Sequence, residues 1–233
     1  MKYYSTNKNA SSVTLKEAVV KGLAADKGLF MPEKINQFDK EFLNNLTDLS
    51  FCEIAFETAR KFFSGDISDN KLKEIVYDTL PFDCPVIKVN ENIYSLELFH
   101  GPTLAFKDIG ARFMARLLNF FLDGNDKIVN VLVATSGDTG SAVANGFLKV
   151  PGIRVFVLYP KGKVTAIQES QFTTLGHNIT ALEVDGVFDD CQRLVKTAFL
   201  DEEVNKRMML TSANSINVAR FLPQAFYYVN GVA

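Results

Sequence analysis

Val131-Leu132-Val133-Ala134-Thr135-Ser136-Gly137-Asp138-Thr139-Gly140-Ser141 carries the chain from a strand, through a polar glycine-containing turn, into a helix. The run up to Ala134 is short, apolar and rich in valine, which suits a strand covered on both faces. A helical pattern follows from Ser141 to Lys149. A turn of this kind aims backbone N–H groups and hydroxyls above the strand end, where a carboxylate or phosphate can be held. The same letters also serve an ordinary turn whose Ser and Thr cap the next helix.

Outward from that unit the rhythm repeats. Strand-like runs cover Ile93–Leu98, Val129–Ala134, Arg154–Tyr159, Ile179–Val184 and Met208–Thr211. Helical patterns cover Ile109–Leu122, Ser141–Lys149, Val164–Leu175, Asp189–Phe199 and Ile216–Val229. Such alternation predicts an α/β fold, a parallel sheet covered by helices, with ligands gathering at the carboxyl ends of the strands. Residues 1–92 read differently, as a mostly helical N-terminal domain before an α/β region at 93–233. Thr14-Leu15-Lys16-Glu17 and Ser50-Phe51-Cys52-Glu53 are capping boxes, and a third helix is expected over Asp69–Thr79, ended by Pro81. The last helical pattern runs almost to Ala233 and no strand follows it, which reads as a truncation.

Composition narrows the function classes. The 233 residues are 47% hydrophobic and 22% charged, with a formal net charge of −2. That balance offers no basic patch for nucleic acid or an anionic membrane. The apolar runs are strand-sized, far below a bilayer span, and the N-terminus lacks a signal-peptide core. Cys52, Cys84 and Cys191 are odd in number and widely spaced, so neither a metal site nor a disulfide framework is expected. Idle thiols in a reducing cytoplasm fit that usage.

The second informative stretch is Glu97-Leu98-Phe99-His100-Gly101-Pro102-Thr103-Leu104-Ala105-Phe106-Lys107-Asp108. Lys107 sits at the mouth of a helix, where the dipole disfavours a cation. Schiff-base chemistry needs a neutral amine, so the position is a candidate for it; a solvated lysine paired with Asp108 is the plainer reading. Pro160-Lys161-Gly162-Lys163-Val164-Thr165-Ala166-Ile167-Gln168 is a basic turn opening a helix, either a solvated loop or an anion site. Thr211-Ser212-Ala213-Asn214-Ser215-Ile216-Asn217 is another strand end, with Asn and Ser as caps or ligands. His177 reads as structural or solvated, and His100 as a possible pocket wall. Asp138-Thr139-Gly140-Ser141 also spells the aspartic-protease tetrapeptide. A strand–helix setting and the lack of a second Asp-Thr/Ser-Gly copy argue against that chemistry.

These segments together resemble the threonine synthases, pyridoxal-phosphate enzymes of fold type II. The likeness rests on Lys21–Ala24 with Gly28–Pro32, Leu98–Asp108, Ala134–Ser141, and Asn214–Asn217 with Ala219-Arg220, in order along nearly the whole chain. It implies a fold type II parallel sheet with helices on both faces, and pyridoxal 5′-phosphate as cofactor on Lys107. It implies conversion of O-phosphohomoserine and water to threonine and phosphate, with Lys107 as the acid–base group. Thr135, Ser136, Gly137, Thr139 and Gly140 would bind the substrate carboxylate, with Asp138 near the cofactor's 3′-hydroxyl. Lys161, Thr165, Gln168, Asn214 and Asn217 are the implied candidates for the substrate phosphate. The resemblance also implies a cofactor-phosphate loop and a pyridine-nitrogen partner beyond this chain, hence an incomplete fold with weak or absent turnover. A dehydratase of the same fold, or a non-catalytic relative that binds a ligand, remains the alternative.

Overall fold

The computed structural model describes residues 1–122 and 128–233. Its elements are β1 (Lys2–Ser5), β2 (Val13–Thr14), α1 (Leu15–Lys21), β3 (Phe30–Pro32), α2 (Lys40–Asn44), α3 (Phe51–Phe63) and α4 (Asp69–Thr79). There follow β4 (Val86–Asn90), β5 (Ile93–Leu96), α5 (Lys107–Leu122), β6 (Val129–Ala134), α6 (Asp138–Phe147), β7 (Ile153–Pro160) and α7 (Ala166–Thr173). The chain closes with β8 (Ile179–Val184), α8 (Phe188–Leu200), α9 (Glu202–Arg207), β9 (Met209–Ser212), α10 (Val218–Phe221) and α11 (Gln224–Asn230).

Four strands form the parallel sheet, in the order β8-β7-β6-β9. Alternation along β6 divides its side chains between two layers. Val129, Val131 and Val133 enter the large core with Phe113, Leu117 and Ala142 of α5 and α6. Ala134, with Leu132 packed beside it, joins Cys191 and Val195 of α8 on the other face. Helices therefore cover both faces. Strands β7 and β8 follow β6 on one side, whereas β9 returns to its other side. The crossovers leave in opposite directions there, which opens a crevice at the carboxyl ends of β6 and β9.

The N-terminal region holds the three expected helices, as α1, α3 and α4, and adds short strands that were not expected. A small antiparallel sheet, β2-β1-β3, accompanies its helices. The run at residues 93–96 also differs from expectation: it pairs antiparallel with β4 rather than joining the parallel sheet. A boundary at 92/93 thus falls in the turn of a hairpin. Nor do the two regions have separate cores, since Tyr3, Leu15 and Phe63 share one cluster with Val131 and Phe226. Thr211 Oγ1 donates to the carbonyl of Val20 at 2.9 Å, and Asn217 Nδ2 to that of Val19 at 2.9 Å. These bonds tie the end of α1 to the end of β9.

Three helices at the crevice also shift from expectation. Helix α6 begins at Asp138 rather than Ser141, so Asp138 stands in its first turn. The pattern at 216–229 divides into α10 and α11 at Pro223, which has no N–H to continue the ladder. Gly110 lets α10 approach α5: a Cβ there would lie 2.6 Å from the carbonyl oxygen of Arg220.

Candidate active site

Lys107 opens α5 after the turn at Gly101–Phe106, and its neighbour Asp108 holds that turn in place. Asp108 is 1% exposed and accepts the Thr103 N–H at 2.9 Å and the Thr103 hydroxyl. Burial pushes its carboxyl above the usual range, against the pull of both Thr103 donors. The side chain of Asp108 is therefore not the partner of Lys107. That partner is Asp138, whose Oδ2 lies 3.4 Å from Lys107 Nζ. The ammonium also sits over the Phe106 ring, 4.5 Å from its centroid. A lysine at a helix start is thus compensated by a carboxylate from the start of another helix.

The turn after β6 is built on Thr135, whose hydroxyl is wholly engaged inside the protein. Oγ1 accepts the N–H of Gly137 at 2.9 Å and of Gly140 at 2.8 Å, and donates to the Gly137 carbonyl. Gly137 takes φ +144°, and a Cβ on it would strike the Gln168 amide at 2.6 Å. The first-turn amides of Asp138 and Thr139 have no acceptor among the described residues, as expected of a helix start open to an anion. Ser136 is exposed beside them.

The second anion-seeking feature is Arg220 on α10, which carried no expected role. It is 4% exposed, one guanidinium N–H goes to the carbonyl of Ala213, and Nε has no partner among the described residues. Burial draws its guanidinium down to about 10, only partly offset by the charge of Asp108. A buried cation with an idle donor is costly unless a ligand completes it. The Ala219-Arg220 pair is part of the family resemblance, but its local pattern, a lone cation in the apolar run Val218-Ala219-Arg220-Phe221-Leu222, assigns it no role.

Lys107 and Arg220 line one cavity of about 220 Å³, with Phe106, Gly110, Thr139, Ser215 and Gln224. It stands at the crevice between β6 and β9. Of the larger hollows, one of about 410 Å³ lies between α4 and α5, and two, of about 770 and 720 Å³, open at the amino ends of β6 and β7 around Arg154. They contain none of the strand-end residues; His177 lines the one of about 770 Å³. The remaining candidates separate by what their side chains already do. Asn217 is buried and caps α10 while reaching Val19, and Thr165 caps α7. Gln168 bonds Asp138. Asn214 is half-buried, and Lys161 is exposed on the turn after β7; neither lines the cavity. His100 pairs with Glu97 at 2.7 Å outside it. Cys52, Cys84 and Cys191 are free thiols, Cys84 being pushed up to about 12 by burial.

A lysine amine facing an anion-seeking crevice fits an aldehyde cofactor that bears a phosphate, and the comparisons point the same way. Residues 2–80 match the family described as threonine synthase N terminus, and residues 80–226 that described as pyridoxal-phosphate dependent enzyme. The threonine synthase of Haemophilus influenzae is 46% identical over 233 residues, covering 100% of this chain and 54% of that protein. The crystal structure of threonine synthase from Escherichia coli superposes with a TM-score of 0.90 at 43% identity, over 100% of this chain and 54% of that one. A pyridoxal-phosphate-bound threonine synthase from Brucella melitensis gives a TM-score of 0.93 at 37% identity, over 100% and 51%. The chain spans about half the length of the relatives it matches.

Proposed function

This chain belongs to the pyridoxal-phosphate-dependent enzymes, and we propose that it carries the lysine site of a threonine synthase, converting O-phospho-L-homoserine and water to L-threonine and phosphate. The observation that carries the reading is the convergence of Lys107 and the under-bonded Arg220 on one cavity. When bound, the cofactor supplies an electron sink for bond breaking at the substrate's α, β and γ carbons. Lys107 Nζ would hold the cofactor, and the same amine would take and return a proton at the substrate's carbon skeleton.

The other residues bind and orient. Asp138 and the Phe106 ring together hold the lysine nitrogen. The free amides of Asp138 and Thr139 take the substrate carboxylate at the positive end of α6. Arg220, with its idle Nε, takes the phosphate that leaves, and Ser215 beside it on the cavity wall adds a hydroxyl. Thr135, Thr165, Gln168 and Asn217 shape this surface from behind, since their side-chain groups are already bonded to protein. The ligand is therefore a small anionic amino acid, and we place the protein in the cytoplasm, where its free thiols stay reduced. No helix among the described residues is long and apolar enough to cross a membrane.

Borohydride trapping after addition of pyridoxal 5′-phosphate tests the assignment. Peptide mapping is expected to find the pyridoxyl group on Lys107, and Lys107→Ala to lose it. Preferential labelling of another lysine overturns the reading. Phosphate released from O-phosphohomoserine distinguishes the synthase from a dehydratase, which would instead deaminate serine or threonine.

A further inference from the structure

We infer that Gln168, on α7, is a positioning residue for the Lys107 site that acts through Asp138; the inference rests on reading Lys107 as the cofactor lysine. Asp138 divides its two oxygens. Oδ2 faces Lys107 Nζ at 3.4 Å, and Oδ1 accepts Gln168 Nε2 at 2.6 Å. A carboxylate only accepts, so the contact fixes which end of the Gln168 amide faces Asp138. At the other end, Gln168 Oε1 accepts the Thr165 hydroxyl at 2.9 Å. Each end of the amide is thus held by a bond to protein, which fixes its orientation beside Asp138.

The surroundings are built around this amide. Gly137 takes a backbone conformation that disfavours any side chain, and a Cβ there would occupy the position of the Gln168 amide, 2.6 Å from its carbon and oxygen. The main chain of residue 168 is held too, because Ser141 Oγ donates to its carbonyl at 3.3 Å. One residue of α7 is thus bonded to the first residue of α6, Asp138, and to its fourth, Ser141. The side chain of Asp138 is half exposed, and a carboxylate so placed is free to rotate into water without a second anchor. Gln168 supplies that anchor and leaves Oδ2 turned toward the lysine. A glutamate of the same length could not do so, since it would set a like charge against Asp138.

Competitive labelling of the 233-residue chain at fixed pH tests this, with limiting acetic anhydride in one arm and borohydride-trapped pyridoxal 5′-phosphate in the other. Lys16, exposed on α1, serves as the internal reference. Gln168→Ala is expected to free Asp138 and raise Lys107 acetylation relative to Lys16 by roughly threefold, the scale of losing an exposed ion pair. Thr165→Val should act in the same direction more weakly, and provides a second route should the first variant fold poorly. In an Asp138→Asn background, Gln168→Ala should add nothing, because the route through the carboxylate is already cut. Unchanged acetylation in Gln168→Ala, or full additivity with Asp138→Asn, overturns the inference. Failure of pyridoxal phosphate to prefer Lys107 in every variant would instead strike at the cofactor-lysine reading, while the acetylation arm still decides the role of Gln168.

Discussion

A single hydroxyl sets the shape of the strand-end turn. Thr135 Oγ1 satisfies two buried N–H groups, those of Gly137 and Gly140, and gives its own proton to the Gly137 carbonyl. Thr135→Val keeps the shape and removes all three bonds, so two donors are left without an acceptor. The expected cost is about 2–4 kcal/mol, read as a lowered denaturation midpoint, while Ser136→Ala on the exposed side of the same turn should leave it nearly unchanged. Lys107 and Asp138 were legible because rare turn chemistry flanked them: a Gly-Pro turn before one, a glycine pair around the other. Their pairing was not, since they lie 31 residues apart and meet only when α5 and α6 start side by side. Arg220 belongs to a segment that carries the resemblance, but its place in the site is hidden, because nothing in that segment reveals that α10 presses it against Gly110.

Capped helices and the buried apolar strands β6 and β8 match their sequence patterns almost to the residue, whereas exposed or very short strands do not. The capping boxes at Thr14/Glu17 and Ser50/Glu53 form as the spacing predicts, with side chain and backbone bonded in both directions. Strand β4 escaped detection because none of its residues is buried, so no alternation of inside and outside marks it. The N-terminal strands of two to four residues are too short to carry a period at all. The capping boxes predict an acid response. The Ser50 hydroxyl and N–H hold the Glu53 carboxyl below the usual carboxylate range. A folded-state value below the unfolded one contributes stability that is complete above the unfolded value and is lost as pH falls through the folded one. Glu53→Gln keeps the reach of the side chain and removes the charge, so it should melt below wild type near pH 7. The gap should begin to narrow as pH falls through the ordinary carboxylate range and close only below the lowered folded-state value. Thermal melts across that range check it, and a constant gap would mean that the charge contributes nothing.

At the scale of the whole molecule, one core reaches from Tyr3 to Tyr227, yet it does not reach the β4–β5 hairpin evenly. Leu96 and Leu98 pack against that core, whereas Val89 is 65% and Tyr94 57% exposed, and Val86, Ile87 and Ile93 are open as well. Among the described residues the hairpin has no third strand. Two strands alone are marginal in water, and here neither face gains the burial that would hold them. Strand β6 has the opposite surroundings: a neighbour on each edge, α5 and α6 on one face and α8 on the other. Cooperative opening should therefore begin at Val86–Leu96 and reach Val129–Ala134 only with global unfolding. Native-state hydrogen exchange resolves this directly. The amides of β4 and β5 that bond across the hairpin should exchange through local opening, with rates almost insensitive to low denaturant. Those of β6 should exchange with the free energy and denaturant dependence of the whole fold. Equal protection of the two segments would mean that the hairpin is held by something other than its own two strands, since packing at Leu96 and Leu98 alone secures only its base.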